Sequence, residues 1–130
     1  MNTNLCPFCQ LRDDQCVVIN QHIRAFRDQF PVSKGHTLII PRRHVASIFD
    51  LHDDELQSIW NAVAKVRQQL QQECKPDAFN IGVNDGAAAG QTVPHAHVHV
   101  IPRYAGDVPD PRGGVRWIIP EKADYWSKPK

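Results

Sequence analysis

The run His95-Ala96-His97-Val98-His99-Val100-Ile101 alternates polar and apolar residues with a period of two. Successive side chains of an extended chain point to opposite faces. A strand here therefore puts His95, His97 and His99 on one face and Ala96, Val98 and Val100 on the other, whereas a helix would scatter them. Three imidazoles on one face make a poor core, because each neutral ring needs both a hydrogen-bond donor and an acceptor. Imidazole suits two other uses, binding a metal ion or attacking an electrophile such as phosphorus. Spacing alone does not divide the three histidines between them.

The surrounding pattern supplies the scaffold for such a strand. Val17–Asn20 and Arg24–Asp28 read as a small hairpin about Asn20-Gln21-His22. Pro31 to Gly35 reads as a turn, followed by a strand Thr37-Leu38-Ile39-Ile40 that ends at Pro41, which has no N–H to give a ladder. From about His52 to Glu73 the period lengthens, and Leu56, Ile59, Trp60, Val63, Val66 and Leu70 form one apolar stripe on a long helix. Asp50 or Asp53 is placed to cap it, with Asp53, Asp54 and Glu55 at the positive end of its dipole. Ala78 to Val83 reads as another strand and Asn84 to Gly90 as a loop. This is the pattern of an α+β domain with about five strands and one long helix.

With 130 residues, 42% of them hydrophobic and 22% charged, the chain has material for one domain and none for a second. Its formal charge of +1 creates no global field toward nucleic acid or an anionic membrane, so neither is expected as a partner. No apolar run has the length of a signal peptide or a membrane span, which makes cytoplasmic the expected location. Cys6-Pro-Phe-Cys9 suits a metal or redox role in a reducing compartment, while Cys16 and Cys74 read as small apolar core residues. Beyond a core spanning about residues 6–104, residues from about 105 to 130 form an extended arm rich in Pro and Gly. In it, Val115 to Ile119 and Trp126 are expected to pack on the body or across an oligomer interface, or to wall a pocket.

With Gly90-Gln91-Thr92-Val93-Pro94 ahead of it and Pro102-Arg103 behind it, the histidine run resembles the His-x-His-x-His signature of the histidine triad (HIT) superfamily. These flanking runs resemble the fragile histidine triad branch and its bacterial diadenosine polyphosphate hydrolase relatives. Asp28, the Pro31 to His36 turn and the strand after it match too, so the resemblance spans about Cys6 to Tyr104.

The resemblance implies a HIT-like fold, a homodimer, and nucleotides or dinucleoside polyphosphates such as diadenosine tetraphosphate as ligands. His97 would be the nucleophile, attacking the α-phosphorus to form a labile nucleotidyl-imidazole that water opens to the nucleoside monophosphate. His99 would contact the phosphate or the leaving group, and Gln91 and Thr92 would bond phosphate oxygens. His36 would support the catalytic strand, Asn84 would contact substrate, and Asp28 would accept from the ribose hydroxyls. Phe8 and Phe26, with Val17 and Ile19, lie where a base slot would be walled. By the same resemblance His44 and His95 would complete Cys6 and Cys9 into a closed structural Zn2+ site, one per chain. Two other functions fit the same residues: a nucleoside phosphoramidase, and a nucleotide-binding or interaction protein with incidental catalysis.

Overall fold

The β ladder around the histidines stops where proline enters it. The structure, a computed structural model, describes residues 5–127. It contains β1 (Val18–Ile19), β2 (Ile23–Arg27), β3 (Thr37–Pro41), α1 (Asp53–Glu73), β4 (Ala78–Gly82), β5 (Val98–Arg103) and the short α2 (Pro120–Ala123). All neighbouring strands are antiparallel, in the order β1-β2-β3-β5-β4.

β5 begins only at Val98, so His99 lies in the strand while His95 and His97 lie just before it, a correction to the reading of one strand carrying all three. The pairing of β3 with β5 ends at Ile39↔Val98. Continued, it would bring Ala96 opposite Pro41, which has no N–H to contribute. The Ala96 N–H instead donates to the Val45 carbonyl at 2.7 Å, and the chain bends at His95.

α1 covers one face of the sheet. Ile59, Ala62, Val63, Val66 and Leu70 pack against Ile23, Ala25, Ile39, Val98 and Val100, a set that the alternation of each strand delivers to the same side. Burial of each larger apolar side chain is worth about 1.5–3 kcal/mol, so this layer supplies most of the driving force. Trp60 departs from the expected stripe and stays exposed. Neither Asp50 nor Asp53 caps α1. Glu55 reaches back to accept from the His52 N–H at 2.8 Å, and Arg43 holds the same carboxylate through Nη2 at 2.8 Å and Nε at 3.1 Å. Cys74 packs at the edge of this core and Cys16 at the edge of the smaller one, both half-buried.

The opposite sheet face carries that second cluster, Cys6, Phe8, Phe26, Leu38 and Ile40, and it is the face on which His99 stands. Gly35 sets the approach to it. Its φ is +91°, and a Cβ there would fall 2.8 Å from Leu70 Cδ2 and 3.1 Å from Cys74 Sγ. Only glycine fits this turn, which delivers His36 to the sheet.

After β5 the arm folds back over the same face through a 3₁₀ turn (Gly114–Ile118) and α2. Trp126 is half-buried, with the Arg112 guanidinium 4.7 Å from its ring centre. Val115, Trp117, Ile118 and Ile119 remain exposed rather than packing into the body. Among the described residues no helix is long and apolar enough to cross a membrane.

Candidate active site and metal centre

His97 is buried, and its Nδ1 lies 2.8 Å from the main-chain oxygen of His95. A carbonyl oxygen only accepts, so Nδ1 carries a hydrogen, and in the neutral ring Nε2 is the nitrogen that keeps its lone pair. The carbonyl lies two positions before the ring it holds, a local consequence of the His-x-His spacing.

A second chain of bonds sets His99. The Val32 N–H donates to His36 Nδ1 at 3.1 Å, which leaves Nε2 of the neutral His36 ring protonated and facing His99 Nδ1 at 2.9 Å. His99 therefore accepts at Nδ1 and carries its own hydrogen on Nε2. Burial lowers His36 below its ordinary pKa, and burial together with the neighbouring His97 and His36 pushes His99 down to about 4, so both rings are neutral at pH 7. Asp28 adds a carboxylate oxygen 3.5 Å from His36 Nε2, while its other oxygen accepts from the Phe30 N–H at 2.9 Å. Among the described residues no buried side-chain nitrogen or oxygen lacks a partner.

His97 and His99, ring centres 5.1 Å apart, open on a cavity of about 640 Å³. Phe8, Phe26, Leu11 and Leu38 give it apolar walls, and Asp28 and Thr92 stand on its lining. Phe8 meets His97 edge-on at 5.3 Å and Phe26 at 5.3 Å. Leu11, Leu38 and Phe30 carried no signal of their own in the sequence; register and loop folding bring them here. Val17 packs into the core beneath α1 and Ile19 is exposed, so neither walls this slot. Asn84 and Gln91 stand outside the lining. Gln91 braces the loop, accepting from the Gly86 N–H at 2.8 Å and donating to the carbonyls of Ala46 at 2.8 Å and Val93 at 3.0 Å.

Beside this cavity Cys6, Cys9, His44 and His95 converge, their ligand atoms all within 4.8 Å of one another. His95 Nε2 donates to the Pro41 carbonyl at 2.8 Å, so its Nδ1 lone pair faces the cluster. That Nδ1 lies 3.2 Å from His44 Nδ1 and 3.5 Å from each cysteine sulfur, and Cys9 Sγ is 3.2 Å from His44 Nδ1. A tetrahedral zinc with ordinary bond lengths sets its ligands about 3.3 Å apart for two nitrogens and about 3.6 Å for nitrogen and sulfur, so this donor set fits the ion. Burial and the adjacent Cys6 push the Cys9 thiol up to about 11, a cost that a bound cation reverses. A second ligating group, Asp28, His36 and His99, is accounted for by its internal hydrogen bonds.

Residues 11–106 match the model of the HIT domain family. The chain belongs to the HIT family. Among HIT proteins of known structure, it is 40% identical to one from Bacillus anthracis, which superposes with a TM-score of 0.74 over 82% of this chain and 78% of that one. A zinc-bound histidine triad family protein from Mycobacterium smegmatis is 27% identical with a TM-score of 0.73, covering 90% of this chain and 92% of that one. Among curated relatives, the asymmetrical bis(5'-nucleosyl)-tetraphosphatase of Schizosaccharomyces pombe is 46% identical over 83 residues, 64% of this chain and 46% of that protein. The HIT fold, with its five-stranded antiparallel sheet and main helix, is therefore the fold of this chain.

Proposed function

We propose that this HIT protein is a nucleotidyl hydrolase that cleaves dinucleoside polyphosphates such as diadenosine tetraphosphate through a covalent nucleotidyl-His97 intermediate. The observation that carries the reading is the protonation pattern: a lone pair on His97 Nε2 beside an N–H on His99 Nε2, both on one cavity. In the first step His97 Nε2 bonds to the α-phosphorus, and the bond from that phosphorus to the bridging oxygen breaks with its electron pair on oxygen. His99 Nε2–H stabilises the charge developing there. In the second step water bonds to phosphorus, the P–N bond breaks back to the imidazole, and the proton lost from water leaves to solvent with the nucleoside monophosphate.

In this reading the base lies against Phe8 and Phe26, Asp28 accepts from the ribose hydroxyls and Thr92 bonds a phosphate oxygen. Gln91 serves by clamping the segment that carries Thr92, and Asn84 contributes from the preceding loop. Similarity to the S. pombe tetraphosphatase supports the choice of substrate.

One structural zinc per chain on Cys6, Cys9, His44 and His95 belongs to the same proposal, supported by the donor distances and by the zinc-bound M. smegmatis relative. It would tie the N-terminal segment to the sheet and leave no open coordination position. A homodimer in the cytoplasm completes the reading. Among the described residues no strand pairs with the outer edge of β4, and thiolate ligands suit a reducing compartment.

The test is rapid-quench incubation with α-phosphorus-labelled diadenosine tetraphosphate and peptide mass analysis, with His97→Asn as control. An acid-labile adenylyl group on His97 that forms and decays at least as fast as AMP is released is the expected result. Absence of both adduct and turnover in protein that binds AMP would overturn the reading and leave a nucleotide-binding protein or a phosphoramidase.

A further inference from the structure

Along β5 the face that carries His99 continues to Ile101 and Arg103, and a second cavity of about 650 Å³ opens there. Ile101 and Asn80, its partner on β4, line one side; Val108, Val115 and Trp117 of the arm line the other. The arm lies close because Gly114, at φ +46°, has no side chain: a Cβ there would stand 3.2 Å from Asn80 Nδ2. No residue lines both cavities, yet one loop serves both, with Asp28 to Phe30 on the first and Val32 and Ser33 on the second. On the sheet the step from His99 to Ile101 is about 7 Å, two residues of extended chain.

The chemistry of this second cavity differs from that of the first. It is mostly apolar, and the one cation on its lining is already engaged. Arg103 forks onto Asp107 at 2.7 and 2.8 Å and donates to Asn80 Oδ1 at 2.6 Å. Asp107 and Asp110 also border it, which disfavours phosphate. What remains is an apolar space with an indole fixed by its Nε1–H to the Arg112 carbonyl at 2.8 Å and a side-chain amide donor on Asn80. That combination suits a nucleobase, with stacking for its face and a donor for its edge.

We propose that this cavity holds the second nucleoside of a dinucleoside polyphosphate, the one that leaves with the distal phosphates, its base against Trp117. The polyphosphate then runs past His99 along the Asp28–Ser33 loop, and Trp117 and the arm become the residues that distinguish a two-ended substrate from a mononucleotide. The inference rests on the nucleotidyl-hydrolase reading, and the test separates the two.

Full-length His97→Asn protein, which binds without turnover, is titrated calorimetrically with AMP, adenosine 5'-tetraphosphate and diadenosine tetraphosphate. The last two share one adenosine and four phosphates and differ in the second nucleoside. The expected result is about tenfold tighter binding of the two-ended ligand. Adding Trp117→Ala brings the two tetraphosphates within about twofold and leaves AMP unchanged, and adding Trp117→Phe keeps the preference. Equal affinity for the two tetraphosphates in the parent protein overturns the subsite while AMP binding keeps the main reading intact. A uniform loss for all ligands with Trp117→Ala, or a change in oligomeric state on sedimentation, also overturns it and makes the arm a structural or subunit-contact element. Failure to bind AMP at all overturns the nucleotidyl-hydrolase reading itself.

Discussion

His36 Nε2 donates to His99 Nδ1 across 2.9 Å, a bond between residues 63 positions apart in the chain that decides which nitrogen of His99 faces the cavity. Without that donor the His99 hydrogen is free to move to Nδ1, and the cavity would meet a lone pair instead of an N–H. His36→Phe is expected to lower kcat about 10–100-fold with KM little changed, because the loss falls on the transition state. His36→Gln, whose side-chain amide still donates, should recover part of it. Steady-state kinetics on diadenosine tetraphosphate decide the point, and equal damage in both variants would mean that His36 only fills space.

Metal content follows from the Cys/His cluster. Protein purified without chelator should carry about one zinc per chain, and Cys9→Ser should lose most of it, read by elemental mass analysis. Because the site ties residues near Cys6 to His44 and His95, the same variant should melt on the order of 10 °C lower, corresponding to about 2–3 kcal/mol. Metal-free wild-type protein, or a variant of unchanged stability, would show that these residues do not form a structural site.

Burial depresses His36 and, with its histidine neighbours, takes His99 from 6.5 to about 4. Below pH 6.5 the unfolded chain binds protons that the folded chain does not, so stability declines as pH falls through the window from about 6.5 to about 4. The Glu55 carboxyl, held at about 2 by Arg43 and the His52 N–H, contributes stability that is present above 4.5 and is lost only below that. Urea midpoints between pH 7 and pH 4.5 should therefore report mainly histidines. His99→Asn should flatten the slope, and an unchanged slope would assign the effect to other groups.

Gly35→Ala tests the turn that delivers His36. A methyl group at φ +91° both strains the backbone and overlaps Leu70 Cδ2, so a loss of about 2–4 kcal/mol is expected in chemical denaturation. Activity should fall as well, since the displaced turn carries the Val32 and His36 bond to His99. Wild-type stability in this variant would show that the turn relaxes without cost.

Much of the molecule is legible in local pattern. The 3.6-residue period marked α1, β-branched runs bounded by turn residues marked four of the strands, and Cys6-Pro-Phe-Cys9 with the His-x-His-x-His run supplied Cys6, Cys9, His95 and His99, while His44, His36 and Asp28 came in only through the family resemblance. Even the His97 tautomer follows from sequence spacing, because its partner is a carbonyl two residues away. These features depend on neighbours in the chain, which the order of residues specifies directly.

Other features depend on which distant groups meet. That His95 turns its Nδ1 toward cysteine sulfur is set by the Pro41 carbonyl, 54 positions away, and that β5 starts at Val98 rather than His95 follows from the proline which β3 places opposite. Trp60 fits the helical stripe yet is exposed, since the period gives an angle around the helix but not the width of the sheet beneath it. Whether the arm would bury its apolar residues or line a cavity depended on Gly114 settling over Asn80, a contact between segments with no shared period. Periodicity determined the elements and the chemical groups they carry; tertiary packing alone decided which hydrogen bond the ring nitrogens of His95 and His99 would find, because those bonds join positions the chain brings together only when folded.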